Sequence, residues 1–387
     1  MDRAAVRPLA LLAAALVLSM TTWFSATAVV PQLRAEWALG DTAAAWLTIA
    51  VQVGFVAGAL ILAASSLPDV FSPRVAILAG AAGASVANLV LLVADGPEVG
   101  LVARLATGFC LAGVYPPALK LASTWFQRGR GTALGIVVGA LTLGSALPHL
   151  VNGLGGLDWE VVVWTTSALT LAGGGLAAVA VPEGPYRFPA ARFDPRQAHR
   201  ALANRGVRLA SLGYFGHMWE LYAMWAWFLV FFSAVGNGGR GAAYATFAVI
   251  GAGALGCWAG GVLGDRWGRP ETTAAMMAVS GSCALVVGLV GAWSAVAALL
   301  VGLVWGFAVV ADSAQFSTLV TELADQAYVG TALALQLAIG FALTVATIWL
   351  VPYWEEAFGW RWAFAFLAPG PALGIAAMLR LRRVAAS

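Results

Sequence analysis

Apolar residues fall in long blocks along this chain, separated by short polar breaks. A helix needs about 20 apolar residues to cross the hydrocarbon core of a bilayer. Twelve stretches meet that length: 9–31, 43–64, 75–94, 99–121, 131–153 and 160–181, then 209–233, 242–264, 272–291, 294–317, 328–350 and 360–379. Each is predicted to be a spanning helix. The one long interruption, Pro182 to Arg208, carries six arginines and four prolines, and the prolines forbid one continuous helix there. It reads as a linker. The expected organisation is an N-terminal six-helix bundle over 1–181, a cytoplasmic linker over 182–208 and a C-terminal six-helix bundle over 209–387.

With 387 residues, 61% hydrophobic and 10% charged, the chain has too little charge to cover a soluble surface of its size. The spans use nearly the whole length and leave no room for a soluble catalytic domain. The net charge of +3 gathers into no binding stripe, so nucleic acid is not an expected partner. The opening MDRAAVRPLALLAAALVLSM has the basic start of a signal peptide, but its apolar run continues through Trp23 and Phe24 to Val30. It reads as the first spanning helix. Cys110, Cys257 and Cys283 lie inside apolar segments and read as small buried residues. With the N-terminus inside, seventeen basic residues fall on the cytoplasmic side, and three, Arg34, Arg240 and Arg361, fall outside. Basic loops resist translocation, so both termini and the linker are expected in the cytoplasm, in a multi-pass protein of the bacterial inner membrane.

The loop after the second segment reads SSLPDVFSPR, with Asp69 and Arg74; the loop after the eighth reads GGVLGDRWGRP, with Asp265, Arg266 and Arg269. The two aspartates lie 265 − 69 = 196 positions apart, about half the chain, which implies one six-helix unit used twice. The same offset sets the Pro116 region of the fourth segment against Asp312 of the tenth. GVLGDRWGRP resembles the signature loop of the major facilitator superfamily, Gly-x-Leu-x-Asp-Arg-x-Gly-Arg. RLATGFCLAGVYPP is similar to that superfamily's fourth-helix pattern, through Arg104, Gly108 and Ala112. The resemblance implies an all-α membrane protein: twelve transmembrane helices in two pseudo-symmetric six-helix bundles, with a midplane site. It implies cytoplasmic gating latches at Asp69, Arg74, Asp265, Arg266 and Arg269. In the first copy Val70, Ser72 and Pro73 replace the usual Arg, Gly and Arg. The stretches KLASTWFQRGRGTALGIVVGALTLGSALPH and ADSAQFSTLV resemble cyanate and nitrate/nitrite transporter-like members. Where the nitrate porters carry intramembrane arginines, this chain has Gln52 and Trp258.

Charged residues inside the spans are few: Arg104, Glu220 and Asp312, with Lys120 near a helix end. A charge at mid-bilayer costs a few kcal/mol, so each needs a partner, a water-filled cavity or a function. His217 and Glu220 stand three apart on one helix face and together can load and release a proton, or else tie helices together as a hydrogen-bonded pair. The planar fork of Arg104 suits an oxyanion or a structural role. Asp312 reads as a gating or cavity-lining contact, or as an ion pair with Lys120 or a loop arginine. Lys120 itself reads as snorkelling to the headgroups, and Pro116 and Pro117 predict a bend in the fourth helix. Aromatics crowd the first and seventh segments. The expected substrate-binding set is Arg104, Trp23, Gln52, Tyr222, Trp225, Gln315 and Gln336. His149 and Asn152 read as a satisfied surface pair near the outer end of the fifth helix. Gly131, Gly135 and Gly139 in that helix, and Gly330, Ala334 and Ala338 in the eleventh, predict smooth faces for close packing.

No HExxH, P-loop or GxSxG turn is present, and Gly251 to Gly256, though spaced GxGxxG, lies inside a span with no strand before it. Neither an enzyme nor a cofactor or metal site is expected. The expected function is secondary active transport by alternating access: a proton-coupled carrier, of symporter type, for a small polar solute, a small organic or inorganic anion. Its partners are that solute, protons and the lipid bilayer, and it is expected to be a monomer. The alternative is an exporter of amphipathic or cationic compounds, a multidrug-type proton antiporter with Glu220 as counter-ion in an aromatic cage. The antiporter pattern has Gly-Pro in the fifth helix, where Gly139-Ala140 stands here. A receptor that binds its ligand without moving it is the third reading, because fold does not fix function.

Overall fold

The computed structural model describes residues 3–65, 72–126, 129–155, 158–186, 199, 203–236, 238–325 and 329–385. Among these residues the chain makes twelve helical crossings. They are α1 (Arg3–Ser19, resuming as Val30–Glu36), α2 (Asp41–Ala64), α3 (Pro73–Leu89), α4 (Pro97–Leu111, resuming as Tyr115–Ser123), α5 (Arg130–Leu154) and α6 (Trp159–Ala180). Then come α7 (Arg205–Val235), α8 (Gly239–Trp267), α9 (Arg269–Gly291), α10 (Ala295–Ala311, resuming as Ser313–Leu323), α11 (Val329–Phe358) and α12 (Pro369–Ala385). Ten crossings contain a helix long and apolar enough to span a membrane; α1 is broken and α12 has 17 residues. Asp69 and most of the expected linker, with Arg187, Arg192, Arg196 and Arg200, lie outside the described residues.

Three crossings are interrupted, and each interruption has a local cause. In α4 the break falls at 112–114, and Pro116 and Pro117 then sit at the start of a new helix, where a missing N–H costs nothing. The tenth crossing breaks at Asp312, the position that the sequence repeat sets against Pro116. In the first crossing, residues 20–26 form turns before a short 3-10 segment at Thr27–Val29, a break that the apolar pattern did not foretell. At the other end of the chain, α11 runs past its expected limit to Phe358 and stops at Gly359, whose φ of 67° is left-handed. The last helix is therefore displaced, and it begins at Pro369 instead of near 360.

Packing repeats with the sequence. The pairs α1–α6, α2–α4, α3–α6 and α1–α5 in the first half recur as α7–α12, α8–α10, α9–α12 and α7–α11 in the second. The halves meet along two seams, α5 against α8 and α2 against α11. Lipid offers helices no hydrophobic driving force to associate, so close backbone approach through small residues supplies it. A Cβ added at Gly54 or Gly108 would strike the backbone at Leu105 or Val51, and one at Gly256 or Gly306 would strike Phe307 or Val249. The same device therefore joins α2 to α4 and α8 to α10.

Overpacking at such a contact costs about 1–3 kcal/mol. Gly54→Val and Gly306→Val are expected to lower the melting temperature of the purified protein by several degrees. Gly175 has nothing within 4 Å of an added Cβ, so Gly175→Ala should melt as the wild type does.

Candidate functional site

Between the halves, α4, α5, α7, α10 and α11 enclose a cavity of about 40 Å³. The first half contributes Tyr115, Leu119, Leu134, Val138 and Leu141; the second contributes Tyr214, Met218, Leu221, Tyr222, Trp225, Ser313, Ser317 and Phe341, among others. Its polar groups are tyrosine and serine hydroxyls and the indole N–H of Trp225, and no lining residue is charged. A site for a drug-sized ligand measures about 300–1,000 Å³. The halves are thus drawn together around a space that holds only a few waters. Leu119, Leu134 and Ser317 lie toward the face that carries the chain termini.

Behind the cavity stands a cluster of rings from both halves. Trp23, Phe24 and Phe55 pack on Tyr222, Trp225 and Phe341, with centroids between 4.8 and 6.2 Å apart in tilted, stacked and edge-on contacts. Around this cluster several buried polar atoms have no hydrogen-bond partner among the described residues: Nε1 of Trp23, Nε1 of Trp225, and both amide atoms of Gln52 and of Gln336. A buried polar group left unpaired ordinarily costs about 1–3 kcal/mol. Of the expected substrate-binding residues, Tyr222 and Trp225 line the cavity and Trp23 backs it. Gln52 and Gln336 are buried outside its lining.

Arg104 belongs to a different arrangement. It is fully buried, and its Nη1 donates to Thr22 O at 2.9 Å, Ser25 Oγ at 3.1 Å and Asn88 Oδ1 at 3.1 Å. Nη2 donates to Trp23 O, and Nε donates to Leu47 O at 3.4 Å. Two of these acceptors are carbonyls freed by the break in α1. The expectation of Arg104 as substrate anchor is corrected: every nitrogen of its fork is engaged with protein oxygens.

The ionisable residues of α7 also pair differently from expectation. His217 and Glu220 do not bond to each other. His217 Nδ1 lies 2.9 Å from Asp312 Oδ1 at the break in α10, and both side chains are buried. Glu220 accepts from Trp305 Nε1 at 2.7 Å and from Ser280 Oγ at 2.8 Å, which ties α7 to α10 and α9. Asp312 therefore faces His217, in place of Lys120 or a loop arginine. His149, expected at the surface, is fully buried with neither ring nitrogen partnered, while Asn152 donates to Ala28 O at 2.7 Å.

At the face carrying the termini, Asp265 Oδ2 accepts from the backbone N of Thr132 at 3.0 Å and from its hydroxyl at 2.9 Å, which joins α8 to α5 across the halves. Arg269 lies 3.4 Å from Asp265 and 2.9 Å from Glu322, and it donates to Gln315 Oε1 at 2.8 Å. Gln315, expected to bind substrate, lies outside the cavity lining, accepts from Arg269 and donates to Gly260 O at 3.3 Å. Arg266 is exposed, Arg74 is half-buried at the start of α3, and Asp69 lies outside the described residues. Glu322 and Thr132 were not anticipated; nothing but nearness to helix ends marks them in the sequence.

The sequence model of the Major Facilitator Superfamily matches residues 11–347. The chain belongs to this superfamily. Cephamycin export protein CmcT of Amycolatopsis lactamdurans is 27% identical over 212 residues, which span 51% of this chain and 43% of that protein. Among solved structures, a bacterial homolog of the human lysosomal transporter Spinster, inward-facing and unoccupied, is similar at 16% identity, with a TM-score of 0.70 over 100% of this chain and 96% of that one. The human organic anion transporter MFSD10 (TETRAN) is similar at 14% identity, with a TM-score of 0.68 over 98% and 100% of the two chains. At these identities the structures establish the fold alone. Superfamily membership sets the chain among multi-pass membrane proteins of a transporter family.

Two outcomes test these assignments. Lysine offers its donors from a single atom and cannot span the oxygens that Arg104 holds, so Arg104→Lys is expected to lower the melting temperature by several degrees with or without solute. Loss of the Asp265 charge should loosen the latch by about 1 kcal/mol, roughly fivefold in population. Labelling of a Ser317→Cys probe by a thiol reagent, measured above the wild-type cysteines, should accelerate correspondingly in Asp265→Asn.

Proposed function

We propose that this transporter carries a small amphipathic organic solute across the bacterial cytoplasmic membrane, coupled to protons. The observation that carries the reading is an uncharged, ring-lined cavity between the halves, walled by the helices that hold His217, Glu220 and Asp312. A small inorganic anion would leave its water for a wall without a basic side chain, an exchange that costs far more than it returns. A solute with apolar surface of its own meets rings and hydroxyls instead. The likeness to cyanate and nitrate/nitrite porters rests on two sequence stretches. Trp258, where those porters have an arginine, is 54% exposed and turned out of the bundle.

The 27% match to a cephamycin export protein supports an organic solute and outward movement, in which protons moving in drive solute out. Seventeen basic residues against three support a cytoplasmic position for the termini and for the Asp265 contacts. Glu220 joins α7 to α9 and α10, and His217 joins α7 to the break in α10. A proton gained or lost at either site changes the charge that these contacts hold, and so shifts the balance between the two open states. The single chain supplies both halves and both seams, which suits a monomer.

In proteoliposomes with an imposed pH gradient, wild-type protein should accumulate solute and acidify or alkalinise the lumen in step. Glu220→Gln is expected to abolish gradient-driven accumulation while sparing solute-for-solute exchange, read by labelled solute and a luminal pH dye. Accumulation indifferent to the gradient in the wild type would remove protons from the cycle.

A further inference from the structure

The buried tryptophans divide into two groups. Trp305 donates its indole N–H to Glu220 at 2.7 Å, Trp227 to Ile348 O at 2.9 Å and Trp159 to Glu36 at 2.5 Å. Trp23 and Trp225 are as deeply buried, yet their N–H groups have no acceptor among the described residues. These two come from opposite halves and meet in the ring cluster: Trp23 stands 6.1 Å from Tyr222, and Tyr222 stands 5.4 Å from Trp225. Trp225 lines the cavity directly. Gln52 in α2 and Gln336 in α11, the helices that carry Phe55 and Phe341, add buried amides with both ends unpartnered among the described residues.

From this we infer that the solute is a neutral, flat-bodied organic molecule bearing acceptor oxygens, received by the indole N–H groups of Trp23 and Trp225. The inference rests on the reading of the cavity as the solute site. An indole N–H can only donate, so its missing partner is an acceptor. A flat body suits faces already set for ring contact. A cation finds no carboxylate in the lining: both oxygens of Glu220 are taken by Trp305 and Ser280, and Asp312 Oδ1, without a hydrogen-bond partner among the described residues, lies behind the wall 2.9 Å from His217 Nδ1. An anion finds no basic side chain in the lining. The two glutamine amides can then sort solutes by the polar groups along their edges.

Four probes with one bicyclic body separate the possibilities: coumarin carries a carbonyl, naphthalene carries no acceptor, N-methylquinolinium is cationic and 2-naphthoate is anionic. Binding is measured in lipid nanodiscs, with empty discs subtracted, and by melting temperature in detergent. Coumarin should bind best and raise the melting temperature, as a ligand of the folded state does. Trp225→Phe and Trp23→Phe keep a ring and lose the N–H; each should weaken coumarin about tenfold and leave naphthalene unchanged. Unliganded melting temperatures near the wild type show that both variants fold. Coumarin no better than naphthalene, tighter binding of either ion, or no effect of both substitutions would overturn the proposal. The transport reading fails separately, when coumarin binds in this pattern but no solute moves with a pH gradient.

Discussion

A helix that breaks inside a bilayer must find new partners for the peptide groups it frees, since lipid offers none. Arg104 meets that requirement for α1. Its guanidinium gathers the carbonyls of Thr22 and Trp23 together with Ser25 and Asn88, and Asn88 donates onward to Ser167 in α6 at 3.0 Å. The break at 20–26 therefore becomes a fixed shape, and Trp23 and Phe24 sit on it. Their rings reach the second half only because the chain turns there. A buried arginine without a carboxylate partner is tolerable when oxygens surround it on several sides.

Close packing then determines what is able to move. Gly54 with Gly108, and Gly256 with Gly306, bring backbones together within each half, so each half behaves as a stiff unit. The contacts between halves are of another kind. Gly135 and Gly139 of α5 rest on the backbone at Cys257 and Ala254 of α8, and Thr132 holds Asp265 at one end. Across the other seam, the rings of Phe55 and Phe341 meet at 4.8 Å.

Charge inside the membrane is confined to sites where geometry supplies partners. Glu220 has an indole and a hydroxyl, His217 has Asp312, and Arg104 has oxygens only. The cavity itself remains uncharged. The ionisable groups thus stand apart from the cavity wall, which is made of rings, hydroxyls and an unpaired indole N–H.

Apolar blocks of spanning length, the repeat at Asp69 and Asp265, and the GVLGDRWGRP loop were enough to fix the class of fold, the helix order and the superfamily, because a bilayer constrains length and polarity residue by residue. Pro116 and Pro117 likewise announced the bend in α4. Partner choice was not legible. Three-residue spacing put His217 and Glu220 on one face, but α10 meets both, through Asp312 and Trp305, and α9 meets Glu220 through Ser280. Arg104 carried the same signal whether it bound solute or the turn in α1, and Gln315 looked like a cavity residue until Arg269 claimed it. The break in α1 had no proline within it to mark it. Sequence by itself determined how many helices cross and in what order, since that follows from local hydrophobicity. Only the tertiary structure decided which polar groups are satisfied and which are left open, because that depends on side chains brought together from opposite ends of the chain.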